Sequence, residues 1–126
     1  MPHGHIDLSW VDKVLHIQVF GPFNLSGIKQ AFADIREAVN QKTPENWYRL
    51  EVLDQHTLGS PEVMKVIGAS YLWCFNHGCE FIAVVCSNRI QKGILAEFIK
   101  ATGSNMQAFD SQDEAESHIQ KLRTQS

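Results

Sequence analysis

The stretch Leu50–Gly78, LEVLDQHTLGSPEVMKVIGASYLWCFNHG, decides the fold of this chain. It opens with the residues of a strand, continues through a short polar turn, and then becomes strongly apolar at Ser60. Ser60 can cap a helix because its hydroxyl can accept a hydrogen bond from a free first-turn amide, and Pro61 suits the first helical position. Gly78 suits the left-handed position that commonly follows the last helical turn. The stretch therefore predicts a strand, a turn and a capped helix.

The helix predicted after Ser60 is apolar around nearly its whole circumference. Its apolar residues are Val63, Met64, Val66, Ile67, Ala69, Tyr71, Leu72, Trp73, Cys74 and Phe75. A helix of this kind is buried on several sides, either by its own domain or by a second subunit. We therefore expect a homodimer, with Trp73 and Phe75 as the candidate interface.

Size and composition are those of one ordinary globular domain spanning residues 1–126. The net charge of −3 gives no electrostatic reason to expect a nucleic-acid partner or an anionic membrane. The longest apolar run, Val66–Phe75, is too short to span a bilayer, so no membrane span is expected. No signal peptide is recognisable at the start, and the three cysteines are odd in number, which predicts reduced thiols in a cytoplasmic protein.

Hydrophobic periodicity and turn residues divide the chain into strands and helices. The predicted strands are 6–10, 14–20, 48–54, 80–86 and 106–109, and the predicted helices begin at 24 or 26, 60, 89 and 112. The first helix should close at Thr43-Pro44, the third at Gly103, and the last should fray from Arg123. Ser111 to Glu114 forms a capping box for the last helix.

The repeated strand–helix units predict an α/β domain with a mainly parallel five-stranded sheet that follows an opening hairpin. If strands join the sheet in chain order, the helices lie mostly on one face, and the other face is partly open to water. Arg49 and Glu51 alternate with Tyr48, Leu50 and Val52, which fits a strand with one partly polar face. The alternative is a doubly wound, flavodoxin-like sheet covered on both faces.

Four segments resemble the STAS fold of the anti-sigma factor antagonists, and more closely the uncharacterised bacterial SpoIIAA-like proteins. They are FGPF at 20–23, RLEVLD at 49–54, FIAVV at 81–85 and AFDSQDEA at 108–115. The resemblance covers nearly the whole chain and implies one STAS-like domain. It also implies a non-enzymatic regulatory or interaction module that binds a protein partner and uses no cofactor.

In that family a serine in an Asp-Ser-Ser-Gly turn before the second helix is phosphorylated by a partner kinase. Here the turn reads TLGSP at 57–61, where Ser60 is the residue that can correspond and the acidic residue is missing. Ser60 is therefore the candidate switch or anion site, since a helix N-terminus favours an anion. The wider fold group includes lipid-binding domains. That leaves a second function, a carrier or sensor of an apolar or lipid-like molecule held between the helices and the sheet.

Open parallel sheets bind ligands or partners at the carboxyl ends of their strands. Here that edge gathers Gly21, Asn24, Asp54, His56, Ser60, Ser87, Asn88 and Arg89. Helix capping by itself accounts for Asn24, Ser60 and Ser87, and the cap of the third helix is either Ser87 or Asn88.

Three further groups of reactive residues have simple structural interpretations. Asp54 and His56 could form an acid–base pair, but no nucleophile motif accompanies them, so solvated turn residues and no enzyme are expected. His3 and His5 could bind a metal ion, but no third ligand lies near them in sequence, so no metal is expected. Cys86 is expected to be a small buried hydrophobic residue and not an activated thiol.

Overall fold

The computed structural model describes residues 1–42, 44–57 and 60–125. Within them the elements are β1 His5–Val11, β2 Val14–Phe20, α1 Leu25–Lys42, β3 Trp47–Leu53, α2 Pro61–Phe75, β4 Cys79–Val85, α3 Arg89–Thr102, β5 Met106–Phe109 and α4 Gln112–Gln125. The predicted order of strands and helices is confirmed. Two helix ends differ from the prediction. Helix α2 stops at Phe75, short of the glycine at 78, and α4 continues to Gln125 where fraying was expected from Arg123. The first helix was predicted to close at Thr43-Pro44, and Thr43 lies outside the described residues.

The sheet has the strand order β1-β2-β3-β4-β5. Strands β1 and β2 are antiparallel, and every later neighbour is parallel to the one before it. The strands therefore join in chain order, as the STAS-like interpretation requires, and the flavodoxin-like alternative is wrong.

Three helices cover one face of the sheet and α4 packs on the other. The core under α1, α2 and α3 includes Leu15, Ile17, Val19, Trp47, Ile82 and Val84 from the strands. On the opposite face, Ala115 and Ile119 of α4 pack with Leu50, Phe81 and Val85. Residues of the hairpin that point to this second face, such as Asp7 and Gln18, are exposed. Most helices do lie on one face, and the second face is open mainly at the hairpin.

The predicted orientation of β3 is wrong, and the observed orientation places two charged side chains at the candidate site. Arg49 and Glu51 were assigned to the open face, yet they are only 2% and 3% exposed and lie under the three helices. Arg49 sits in register between Leu15 of β2 and Ile82 of β4, both core residues of the helix-covered face. Alternation along one strand shows that two faces differ, and it does not show which face the helices cover. The charged residues of β3 therefore line the interior.

The predicted caps position the helices. The side chains of Asn24, Ser60, Asn88 and Ser111 each accept a hydrogen bond from the amide three residues further on, at 2.8, 3.3, 2.9 and 3.2 Å. Gly103 ends α3 in the left-handed conformation, with φ of 66°. These side chains satisfy amides that the first turn of a helix leaves without a partner.

Replacing Leu95 or Val84 with alanine should destabilise the fold by about 2–4 and about 1–3 kcal/mol respectively, through lost burial and the cavity left behind. Both side chains lie in the core under the three helices, at 6% and 0% exposure. Urea denaturation measures the change, and Lys100→Ala on the exposed surface of α3 should shift the midpoint little. Midpoints unchanged by Leu95→Ala and Val84→Ala would contradict the packing described here.

Candidate ligand-binding site

A cavity of about 170 Å³ lies between the helix-covered face of the sheet and helices α1, α2 and α3. Its walls are mainly apolar, and they include Ile28, Ala31, Phe32, Ile67, Leu95 and Phe98. An engineered cavity of roughly 150 Å³ with similar walls binds benzene. The space therefore suits a molecule the size of a single six-membered ring.

Small residues on α1 and α2 shape the walls of this space. Gly68 lies in the middle of α2, where a Cβ atom would come within 2.8 Å of the Phe98 ring. The missing side chain allows Phe98 of α3 to lie against α2, where its ring meets Tyr71 at a centroid distance of 5.6 Å. Ala31, buried on α1, also lines the cavity with only a methyl group.

The wall nearest to solvent lies between α2 and α3. Ile94 of α3 lines the cavity and is 38% exposed. Met64 and Ile67 of α2 also line it and are partly buried. The most exposed side chain that lines the cavity is therefore apolar.

A buried polar cluster, formed by Arg49, Glu51, Ser70, Tyr71 and Cys74, lies at the cavity. Arg49 Nη2 forms an ion pair with Glu51 Oε1. Arg49 Nη1 donates to Ser70 Oγ at 3.2 Å and to Cys74 Sγ at 3.5 Å. Tyr71 donates its hydroxyl hydrogen to Glu51 Oε2 at 2.6 Å, and the Arg49 guanidinium lies 4.7 Å from the centre of the Tyr71 ring. Strand β3 and helix α2 thus bring together five side chains that are separate in the sequence.

The electrostatics of the buried polar cluster keep Arg49 protonated and the Tyr71 and Cys74 side chains neutral near neutral pH. Burial by itself lowers the pKa of Arg49, but the interactions with Glu51, Cys74 and Tyr71 together outweigh it, and the net pKa is raised. Burial, reinforced by Glu51, holds the pKa of Tyr71 well above its usual value. Burial also raises the pKa of Cys74, which the Arg49 charge opposes only in part. The cluster therefore contains one cation beside a neutral phenol and a neutral thiol.

One donor of Arg49 stands apart from this network. Among the described residues, the buried Nε–H group of Arg49 has no hydrogen-bond acceptor. Arg49 itself lines the cavity. Since buried polar groups are nearly always paired, a buried donor beside a cavity marks a place where an acceptor can bind.

Asp54, from the predicted ligand edge, holds the loop that follows β3. Its Oδ1 atom accepts from Gly21 N at 3.2 Å, His56 N at 3.1 Å and Thr57 Oγ at 2.6 Å. Burial raises the pKa of Asp54, but these hydrogen bonds, led by that of Thr57, outweigh it and lower the pKa. The hydrogen bond from His56 comes from its backbone, and this geometry fits turn residues better than an acid–base pair.

The start of α3 lies at the same edge and is bonded to the end of β3. The prediction that Ser87 caps α3 is wrong, because the cap is Asn88, whose side chain accepts from Gln91 N. Ser87 Oγ and Asn88 Nδ2 instead donate to backbone carbonyls at and just beyond that strand end. Gln91, which sequence reasoning missed, is 3% exposed and donates from Nε2 to Asp54 O at 2.7 Å. The signal was its place on the inner stripe of α3, four residues before Leu95. Arg89 is exposed beside this network.

Asn24 and Ser60 lie at the first turns of α1 and α2. Asn24 also accepts from His3 N at 2.9 Å and donates to Met1 O at 2.8 Å, so it ties the first residues of the chain to α1. Ser60 is exposed at the start of α2, and Leu58 and Gly59 of the predicted switch turn lie outside the described residues. Phosphorylation of Ser60 stays a prediction.

The candidate interface residues are partly buried on α2. Trp73 meets the edge of Phe32 at 6.3 Å and stacks on His77 at 3.9 Å between ring centres. Phe75 packs beside the main core, while neighbouring Leu72 is 42% exposed. The homodimer therefore stays a prediction.

In residues 1–42, 44–57 and 60–125, no group of three or more potential ligands could hold a metal ion. Over the same ranges, no helix has both the length and the apolar character to cross a bilayer. Cys86 is buried, and burial raises its pKa to about 11, so the thiol is protonated at neutral pH.

No protein-family model and no curated protein matches this chain. Among solved structures, it is similar to an uncharacterised protein of the DUF3478 family, with a SpoIIAA-like fold, from Shewanella loihica PV-4. The TM-score is 0.65 at 13% sequence identity, over 93% of this chain and 94% of that one. At that identity the likeness concerns the fold alone, and the SpoIIAA-like fold expected from the sequence is confirmed.

Proposed function

We propose that this protein is a non-enzymatic module that carries or senses a small, mainly apolar molecule in the cavity between α1, α2, α3 and the sheet. The observation that carries the proposal is an apolar cavity of about 170 Å³ with a buried arginine in its wall. Pockets for small molecules typically combine apolar walls with a few placed polar groups. The cavity has both features.

The sequence by itself favoured a regulatory or protein-interaction module, and the SpoIIAA-like fold is compatible with that role. A cavity in place of a closed core supports the ligand-binding alternative. The two roles meet on α2, which carries Ser60 at its exposed start and Ile67 and Tyr71 at the cavity. We therefore propose that a bound molecule acts on a protein partner through α2.

The polar groups at the cavity support a binding role and not a catalytic one. Tyr71 is occupied as a donor to Glu51, and Glu51 is occupied by Arg49 and Tyr71. The Cys74 thiol has a raised pKa, which disfavours the reactive thiolate. Groups committed to one another in this way orient a ligand better than they transfer protons.

The proposal is tested with the substitution Ala31→Leu, which places three more carbon atoms at the cavity. Benzene is the probe, and amide chemical shifts in NMR spectra report its binding. In the wild type we expect saturable shifts centred on Ile67, Leu95 and Phe98. In Ala31→Leu we expect benzene binding to weaken at least tenfold, because the added side chain fills the space.

The matched control is Ala38→Leu, the same substitution two turns later on α1. Ala38 lies beside Trp10 and Leu15, away from the cavity. The Ala38→Leu variant should bind benzene like the wild type. Thermal melts followed by circular dichroism verify that both variants fold. No saturable shift in the wild type, or equal binding by the two variants, would overturn the proposed function.

A further inference from the structure

We infer that the molecule bound in the cavity is uncharged and carries one hydrogen-bond acceptor, a carbonyl, ether or hydroxyl oxygen, that accepts from Arg49 Nε. This inference rests on the proposed function and adds the chemical class of the ligand. The inference follows from the nitrogen atom of Arg49 that has no hydrogen-bond partner, from the charges already present at the cavity, and from the volume of the cavity.

Arg49 supplies the donor. Its two terminal nitrogens bond to Glu51, Ser70 and Cys74, while Nε finds no acceptor in the described part of the chain. Arg49 is 2% exposed and lines the cavity, so an occupant lies beside a side chain that bulk solvent hardly reaches. An acceptor on that occupant would restore a hydrogen bond that burial otherwise leaves unmade.

The other polar side chains at the cavity use their donors within the protein. Ser70 donates to Ile67 O at 2.7 Å, and Tyr71 donates to Glu51 at 2.6 Å. Thr57 donates to Asp54 Oδ1 at 2.6 Å, and the Gln91 amide donates to Asp54 O at 2.7 Å. Among the buried side-chain nitrogen and oxygen atoms of the described residues, Arg49 Nε is therefore the one without a hydrogen-bond partner, which predicts one matching acceptor on the ligand.

Charge balance selects a neutral ligand. The positive charge of Arg49 is already cancelled by Glu51 in the same buried polar cluster. A carboxylate or phosphate in the cavity would add an uncompensated negative charge near Glu51, and an ammonium group would meet the guanidinium. Either charge would have to leave water for an apolar space, which is unfavourable without a partner of its own.

The volume sets the size of this neutral molecule. About 170 Å³ is close to the roughly 150 Å³ that accommodates benzene, which corresponds to about six to eight non-hydrogen atoms. A six-membered ring with one oxygen satisfies the size, the charge and the single acceptor together.

The test compares cyclohexanone with methylenecyclohexane, which replaces the carbonyl oxygen by a CH₂ group of similar shape. Dissociation constants for both are measured with the wild type and with the double variant Arg49→Met, Glu51→Gln. The double variant removes the Nε donor, keeps the side-chain volumes similar and leaves no buried charge. The ratio of the two dissociation constants is compared between the wild type and the double variant. The difference in hydration free energy between the two probes is the same in both ratios and therefore cancels. We expect the preference for the ketone to fall about tenfold in the double variant, the loss of one hydrogen bond to a charged donor.

A second measurement needs no variant. The Arg49 Nε–Hε resonance of the wild type should shift on addition of cyclohexanone and stay in place on addition of methylenecyclohexane. Cyclohexanecarboxylate and cyclohexylammonium, as charged probes of the same ring size, should bind at least tenfold more weakly than cyclohexanone.

The outcomes separate the two proposals. If both uncharged probes bind but the Arg49 resonance responds to neither, or their affinity ratio is unchanged in the double variant, the inference is overturned and the proposed function stands. A carboxylate that binds more tightly than the ketone also overturns the inference. If neither probe binds to the wild type, the proposed function fails and the inference fails with it.

Discussion

Replacing Glu51 with glutamine is expected to lower the free energy of unfolding by about 3–5 kcal/mol. The substitution leaves the Arg49 charge buried without its counter-ion, in a side chain that is only 2% exposed. Tyr71 can still donate to the amide oxygen, so the loss reports the charge and not the shape. Urea unfolding followed by tryptophan fluorescence measures it.

Two companion variants show whether the lost stability comes from breaking the Arg49–Glu51 ion pair or from the loss of one side chain by itself. Arg49→Met leaves a buried carboxyl, which can take up a proton in acid, so part of its lost stability should return as the pH falls from 7 to 5. Glu51→Gln should show no such recovery, because an arginine guanidinium stays charged throughout this pH range. The double variant should lie within about 2 kcal/mol of the wild type, since replacing both ions together is often nearly neutral. Additive losses in the double variant would contradict a coupled ion pair.

Replacing Trp47 with alanine is expected to cost about 3–5 kcal/mol. Trp47 is fully buried at the start of β3, where its ring meets Trp10 at 5.4 Å. Its Nε1 atom donates to His77 O at 2.9 Å, so the change also removes the partner of a carbonyl in the turn after α2. Thermal and urea unfolding both measure the effect.

The matched control is Trp73→Ala, the same substitution at a tryptophan on α2. Trp73 is only partly buried, so the same substitution should cost clearly less than in Trp47. Light scattering on this variant also examines the predicted dimer, since a dimer that uses Trp73 should dissociate. An equal loss of stability in the two variants would contradict the different burial of the two side chains.

Capping and periodicity predicted most of the fold because they depend on neighbours in the chain. Ser60-Pro61, Asn88, Gly103 and the Ser111 capping box mark helix ends with local chemistry, and the structure uses all of them. The end of α2, which Gly78 was expected to mark, was predicted wrongly. Gly78 does adopt a positive φ of 93°, but it serves the turn into β4 after α2 has ended.

The candidate site could not be predicted because it depends on which face of β3 is covered. Arg49 and Glu51 alternate with apolar residues in the same way whether they face water or each other. One hint was present in α2, where Ser70, Tyr71 and Cys74 place polar atoms on an otherwise apolar helix. A second was the apolar stripe of α4, Ala115 and Ile119, which needs a partner on the face that was expected to be open. The cavity itself depends on side-chain volumes across three helices, and periodicity does not report volume.

The strand order also determines how the chain can assemble during synthesis. Every strand after the hairpin joins the sheet beside the strand that emerged before it. A nascent chain can therefore add one strand and one helix at a time, and no strand waits for a distant segment. The cavity forms later than the first strands of the sheet, because its walls come from α1, α2 and α3 together. It closes only after α3 has left the ribosome, so the proposed ligand could bind only to a chain whose sheet is nearly complete.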